Sequence, residues 1–343
     1  MQTQVAANRV YDYSHAVGGR DMMKPYQVAL GKNNLVYLVN RMATSQAQLR
    51  AGADTLKQIK KINTGIQAGQ EELVLEFASM GEMPGEVFWP SGISCDKDGL
   101  VYIADEWLNR ISIFNENGEY LGMWGDEGEK DGNLIRPSGI QFDAEDNLYV
   151  VDSGNHRIQK FTKNGSFLKT WGTKGTGPGQ FNSPWGISLD REGFIYVADH
   201  LNHRIQKFTP NGKFIMEIGK YGTGTGELNH PSDVAIDPDG DIYICDWANN
   251  RVNTYDCSGK FFTSFIGDAV NLSKWQQSYV EINDAERLAR RRVPSLEPEW
   301  RFGLPMSVAF EAEKGWLIVV DTQRGRFQIY SKLSEYAEPQ FNL

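Results

Sequence analysis

Pro90, Pro137, Pro184 and Pro231 open the strings PSGIS, PSGIQ, PWGIS and PSDVA at intervals of 47 residues. A chain with this period builds one small unit repeatedly, and each unit must bury its apolar face against its neighbours. Fifteen residues after each proline stands an aspartate: Asp105, Asp152, Asp199 and Asp246. The frame continues through Asn109-Arg110, Asn155-His156-Arg157, Asn202-His203-Arg204 and Asn250-Arg251 to an aromatic or aliphatic residue and Gly. Two flanking copies are degenerate. Pro305 leads to Asp321 at the same offset, and Pro25 leads to Asn40. Six copies are present.

Each copy reads as four short strands; in the third these are GIQFD, NLYVVD, RIQKF and SFLKTWG, joined by turns such as DAEDN and TKNGS. The 35 Gly, 9 Trp, 14 Tyr and 17 Phe of the 343 residues suit strands and turns and argue against a helical bundle. Four strands with a period in the forties predict an all-β, six-bladed β-propeller. The sixth copy ends after its third strand, RFQIYSK, and the N-terminal segment from Val10 resembles the missing fourth. Ring closure by the N-terminus would leave no unpaired blade. The expected organisation is a single domain over 1–343. It comprises a closing strand at about 9–19, blade 1 at 24–88, blade 2 at 89–135, blade 3 at 136–182 and blade 4 at 183–229. Blade 5 follows at 230–267, a helical insertion at 268–303, blade 6 at 304–331 and a tail at 332–343.

The string D-x-x-N-H-R-I-Q-K-F-x-x-N-G-x-F, at Asp152–Phe167 and again at Asp199–Phe214, resembles the NHL repeat. The resemblance runs over residues 24–331 and implies a six-bladed propeller. It does not imply one function, because sites are grafted onto folds. NHL proteins include protein-binding and RNA-binding modules, a peptidyl-hydroxyglycine amidating lyase and many bacterial proteins; related propellers include lactonases and strictosidine synthase-like enzymes. The lyase holds zinc with three histidines placed directly after the blade prolines. Here those places hold Tyr26, Ser91, Ser138, Trp185, Ser232 and Met306, which argues against the same zinc site.

Two intervals exceed the period. Pro25 to Pro90 is 65 residues and Pro231 to Pro305 is 74, which is 18 and 27 more than 47. The first addition, taken as 41–58, falls between strands two and three of blade 1. The second contains a capping-box pattern at Ser273–Gln276, apolar Trp275, Tyr279 and Ile282, and the run Arg290–Arg292, which predicts one amphipathic helix of about five turns. Both loop types leave a propeller on the same face, so both additions are expected near one mouth of the central channel. The helix either packs on blade edges or forms a lid with Trp275 and Tyr279 toward the site.

Around that mouth the frame places Lys24, Trp89, Arg136, Ser183, His230 and Leu304 just before the prolines. The next ring holds Gly92, Gly139 and Gly186 in blades 2 to 4, but Gln27, Asp233 and Ser307 in blades 1, 5 and 6. Side chains there either plug the channel or bind something polar; a buried carboxylate such as Asp233 needs a partner. The repeating aspartates read as architecture because one role recurs from blade to blade, and His156 and His203 belong to the same repeat unit. The turns DKDG and DPDGD are too short for a calcium loop. His200 and His230 fall outside the repeat and, with Asp233, are candidate general bases or ligands for a divalent metal at the mouth.

Two function classes follow. One is a binding module holding a small molecule, peptide or protein at the mouth near blades 5, 6 and 1, using Lys24, Gln27, Trp89, Arg136, Trp185, Ser232, Asp233, Ser307, Trp275 and Tyr279. The other is a hydrolase, lactonase or lyase using His230, Asp233 and His200, with Tyr26, Arg136 or Arg301. A net charge of −9 argues against nucleic acid as the main partner. Cys95, Cys245 and Cys257 lack metal spacing and read as reduced thiols, and the start of the chain has no secretory pattern. With no apolar run of about 18 residues, a cytoplasmic chain, monomeric or weakly oligomeric, is expected.

Overall fold

The computed structural model describes residues 3–19, 22–41 and 57–334. Its strands form six antiparallel sheets around a central channel. Blade 2 shows the pattern: Pro90–Cys95 lies innermost, followed outward by Val101–Asp105, Arg110–Phe114 and Tyr120–Trp124. The second strand is buried along its whole length in blades 2, 4, 5 and 6, as in VYIAD, IYVAD and IYICD, and in all but its first residue in blades 1 and 3. It is therefore apolar on both faces instead of alternating, because each side meets a neighbouring blade.

Closure comes from the N-terminus. Arg9–Gly18 pairs antiparallel with Arg326–Lys332 of blade 6, from Tyr11↔Lys332 to Gly18↔Arg326. Thr3–Ala6 adds a fifth strand outside it. Two cations fasten the seam: Arg9 bonds both carboxylate oxygens of Asp241 at 2.6 and 2.8 Å, and the Lys332 ammonium sits among Asp237, Asp239 and Asp241. The DPDGD turn thus holds a lysine where the sequence only resembled a calcium loop. Burial works to raise the Asp241 carboxyl, and these two cations overcome it and hold the group below its ordinary range.

The repeated polar residues join loops within and between blades. Asp152, fully buried, accepts from Ile135 N, Asn155 Nδ2, Arg157 Nε and Gln159 Nε2 at 2.7–2.9 Å. Arg157 then donates to the Glu129, Lys130 and Asn133 carbonyls of the blade-to-blade loop. His156 and His203 adopt left-handed backbone, and each ring Nδ1 accepts the N–H of the residue preceding the next proline, Ser183 or His230, at 3.0 and 3.1 Å. Asn109 and Asn250 do the same through Oδ1 to Arg136 and Leu304.

The second addition departs from the expected single helix. Helix α1 (Lys274–Ile282) and helix α2 (Asp284–Arg292) are separated by Asn283, which is extended at φ −108°, ψ 98°. Asn283 ends α1 through its N–H to Tyr279 O and starts α2 by accepting the Glu286 N–H. Asn competes well for both caps and breaks what periodicity alone joins. The capping box at Ser273 is present, and Ser273 Oγ also donates to Gly18 O at 2.6 Å. A short helix α3 (Glu297–Trp300) leads back to blade 6. The first addition lies outside the described residues over 42–56; the third strand of blade 1 begins at Lys57.

Candidate functional site: the channel mouth

Six proline carbonyls face one another where the inner strands begin, and each accepts a hydrogen bond from the preceding blade. In blades 2, 3 and 5 the donor is the serine after the proline: Ser91 Oγ to Pro137 O at 2.7 Å, Ser138 Oγ to Pro184 O at 3.3 Å and Ser232 Oγ to Pro305 O at 3.2 Å. Blades 1, 4 and 6 carry Tyr26, Trp185 and Met306 there, and none of these reaches the carbonyl. Their donor comes instead from the residue following the second strand: Arg41 Nε to Pro90 O at 2.7 Å, His200 Nδ1 to Pro231 O at 3.1 Å and Thr322 Oγ1 to Pro25 O at 2.6 Å. A buried carbonyl needs a donor, and the larger side chain moves that duty to a neighbouring position. His200, singled out as a base or metal ligand, does in blade 4 what Thr322 does in blade 6.

The next ring obeys the same logic. Gln27 Oε1 accepts from Ile93 N at 2.9 Å, Asp233 Oδ2 from Val308 N at 3.2 Å and Ser307 Oγ from Val28 N at 3.5 Å. These three side chains join blades 1 to 2, 5 to 6 and 6 to 1. Where glycine stands, the strands approach directly: Gly139 N donates to Trp185 O at 2.8 Å, and a Cβ on Gly186 would collide with the Asp233 carboxylate. Asp233 also accepts from Val234 N at 2.9 Å. Burial raises its pKa to about 7 against the opposing pull of Ser307 and the two amides.

Tyr26, Trp185 and Met306 narrow the mouth to a space of about 20 Å³, which admits a single water. A channel cavity of about 220 Å³, lined by the inner strands and largely by aliphatic residues, lies among the six blades. Stacking fixes the two aromatic plugs. The Arg41 guanidinium lies 3.6 Å over the Tyr26 ring, and Trp185 stacks on His200 at 3.5 Å with 15° between planes.

Outside the constriction the rim is aromatic. Trp89 and Trp107 are 41% and 53% exposed and meet edge to face at 5.6 Å beside Phe88. On the far side, His200, His203, His230, Trp247 and Tyr221 form one contact cluster. Backbone partners set two tautomers there. His200 must carry its proton on Nδ1 to reach a carbonyl, and His203 must carry its own on Nε2 because Nδ1 accepts an N–H. Burial pushes His200 down to about 3, so it is neutral and weakly basic; burial and neighbouring His230 also lower His203.

The expected metal set of His200, His230 and Asp233 is not assembled: among the described residues no group of three or more His, Cys, Asp or Glu side chains could hold an ion. Trp275 and Tyr279 also lie apart from the mouth residues. They line a groove of about 870 Å³ between the insertion and blade 6, with Met22, Met23 and Arg324. The insertion turns outward because Ser273 is tied to Gly18 of the closing strand and the Lys274 N–H to Glu71 of blade 1. Arg301 ties the ends of the insertion together, donating to Gly267 O at 2.9 Å and pairing with Glu297 and Asp268. Sequence reasoning did not place Arg41, Trp107, Tyr221 or Trp247 in the site. Their positions vary from blade to blade, so the repeat offered no consensus against which any of them stood out.

The fold and the mouth define a six-bladed β-propeller whose blades are joined through their proline carbonyls. The chain carries NHL repeats: the NHL repeat family matches residues 134–161, and a family described as 6-bladed beta-propeller matches residues 191–277. No curated protein matches the sequence. Among solved structures, a streptogramin B lyase is similar at 11% identity with a TM-score of 0.58, over 94% of this chain and 98% of that one. A catalytically inactive virginiamycin B lyase from Staphylococcus aureus, solved with quinupristin, shows 12% identity and a TM-score of 0.55 over 94% and 99%. A protein of unknown function from Bacteroides thetaiotaomicron shows 16% and 0.57 over 94% and 76%. At these identities the likeness is one of fold.

Proposed function

We propose that this propeller is a binding module that takes a peptide or protein segment across the mouth-side rim. One observation carries the reading: Tyr26 and Trp185 reduce the mouth to room for one water, while Trp89, Trp107 and Tyr221 stand exposed around it. A small molecule has no chamber of its own at the mouth, whereas exposed aromatic rings supply contact area at low entropic cost. The polar ring residues favour this reading as well, since Gln27, Ser232, Asp233 and Ser307 are engaged with backbone.

The test is selection of random dodecapeptides on the immobilised protein, followed by calorimetric titration of the selected peptides. Trp89→Ala and Trp107→Ala are expected to weaken binding tenfold or more, the loss of at least about 1.4 kcal/mol of contact, with melting unchanged. Undiminished binding to both variants refutes the reading. A propeller enzyme has one observation in its favour, the Asp233 carboxyl near neutrality, which suits proton transfer. Turnover of a lactone or depsipeptide that Asp233→Asn abolishes would establish that alternative.

A further inference from the structure

The rim that receives the segment is also cationic in an acidic protein. Lys24 and Arg136 are exposed beside the mouth, and among the described residues neither makes an ion pair. Arg41 lies between Tyr26 and the Pro90 carbonyl, with Glu106 as its partner at 3.4 Å. Burial raises the Tyr26 hydroxyl's pKa, and the charges of Arg41, Glu106, Arg136 and Asp233 all reach it, so both arginines lie near the plug. Glu106 is the carboxylate paired into this group, and Asp233 is buried beneath it. With Asp233 and Asp105 buried and Glu106 paired to Arg41, Lys24 and Arg136 stand as exposed positive charges beside the Trp89–Trp107 platform, in a chain of net charge −9.

Resting on the binding reading above, we propose that the segment taken is acidic and aromatic, with a carboxylate over Tyr26 between Lys24 and Arg136 and a ring against Trp89 and Trp107. A peptide fits better than a nucleic acid. Three cations neutralise few phosphates, too few to hold a polyanionic backbone. The carboxylate can come from Asp or Glu side chains or from a chain end.

Two synthetic nonapeptide pools test this: one of Glu and Asp mixed with Trp, Phe and Tyr, and a matched one with Gln and Asn replacing the acids. Each is made with free and with amidated C-termini and passed over the immobilised full-length protein at low salt. The acidic pool is expected to be retained at least tenfold over the amide pool, less so as salt rises. Lys24→Gln with Arg136→Gln is expected to abolish that preference without moving the melting temperature. Retention lost only on amidation assigns the carboxylate to the chain end; retention of both forms assigns it to side chains. Equal retention of both pools, lost in Trp89→Ala with Trp107→Ala, overturns the acidic assignment and leaves the binding reading standing. Retention of neither pool overturns both. Tighter binding of a single-stranded RNA decamer than of the acidic pool replaces the peptide with nucleic acid.

Discussion

Replacing Asp233 by Asn removes a titrating group from the channel wall, and the consequence follows from where its proton goes. In the unfolded chain an aspartate ionises near 3.9; in the folded protein burial holds this one up at about 7. Between those values the folded state keeps a proton that the unfolded state has released, so stability falls as pH rises through the window and levels off above it. Each pH unit contributes about 1.36 kcal/mol, so the step from pH 5 to the folded value costs roughly 2.7 kcal/mol. With an unfolding entropy of roughly 2.1 cal/mol/K per residue, 1 kcal/mol shifts the melting temperature of a chain of 343 residues by about 1.4 °C. The wild type should therefore lose about 4 °C relative to Asp233→Asn between pH 5 and pH 8. Scanning calorimetry of both proteins at pH 5, 6, 7 and 8 checks this, and the wild-type-minus-variant difference cancels the other titrating groups. The amide turns an N–H toward one of the two backbone donors, a constant offset, so the slope is the measurement. A difference that stays flat, or widens the other way, refutes the reasoning.

His200→Ala strands the Pro231 carbonyl and should lower stability by about 1–3 kcal/mol; adding Trp185→Ser, which recreates the serine arrangement of blades 2, 3 and 5, should recover most of the loss in denaturant titrations. His203→Asn should be nearly neutral, because Asn109 and Asn250 already fill that role, whereas His203→Ala should cost about 1 kcal/mol by chemical denaturation. Lys332→Ala leaves Asp237, Asp239 and Asp241 facing one another with Arg9 as the one compensating cation among the described residues. It should destabilise by about 3 kcal/mol or more and speed amide exchange in Arg9–Gly18 before the other blades; uniform exchange would contradict the seam's dependence on this lysine.

Contacts at a constant sequence offset were open to the sequence. Asp152 and Arg157 are five residues apart and meet in the structure, and the same offset recurs at Asp199–Arg204, Asp246–Arg251 and Asp321–Arg326. A repeated pair needs only one explanation, so the architectural role of these residues and of His156 and His203 was legible. His200 and Asp233 were not: each looked exceptional within its own blade, while its partner, Pro231 or Val308, belongs to the next blade. The insertion divides the same way. Its capping box could be read from Ser273 and Gln276, but Asn283 as a break and Gly18 and Glu71 as anchors could not.

The 47-residue period by itself determined the number of blades, the strand order within each and the need for a closing strand, because a unit with a fixed repeat can stack on its neighbours in few ways. Tertiary structure alone decided what the exceptions do. Whether a non-repeating side chain is a ligand, a base or a bond between blades depends on which buried carbonyl or amide lies across the junction and how much room the neighbouring side chain leaves. Tyr26, Trp185 and Met306 fill the mouth, so Arg41, His200 and Thr322 bond the proline carbonyls, and the exposed chemistry is left to the rim.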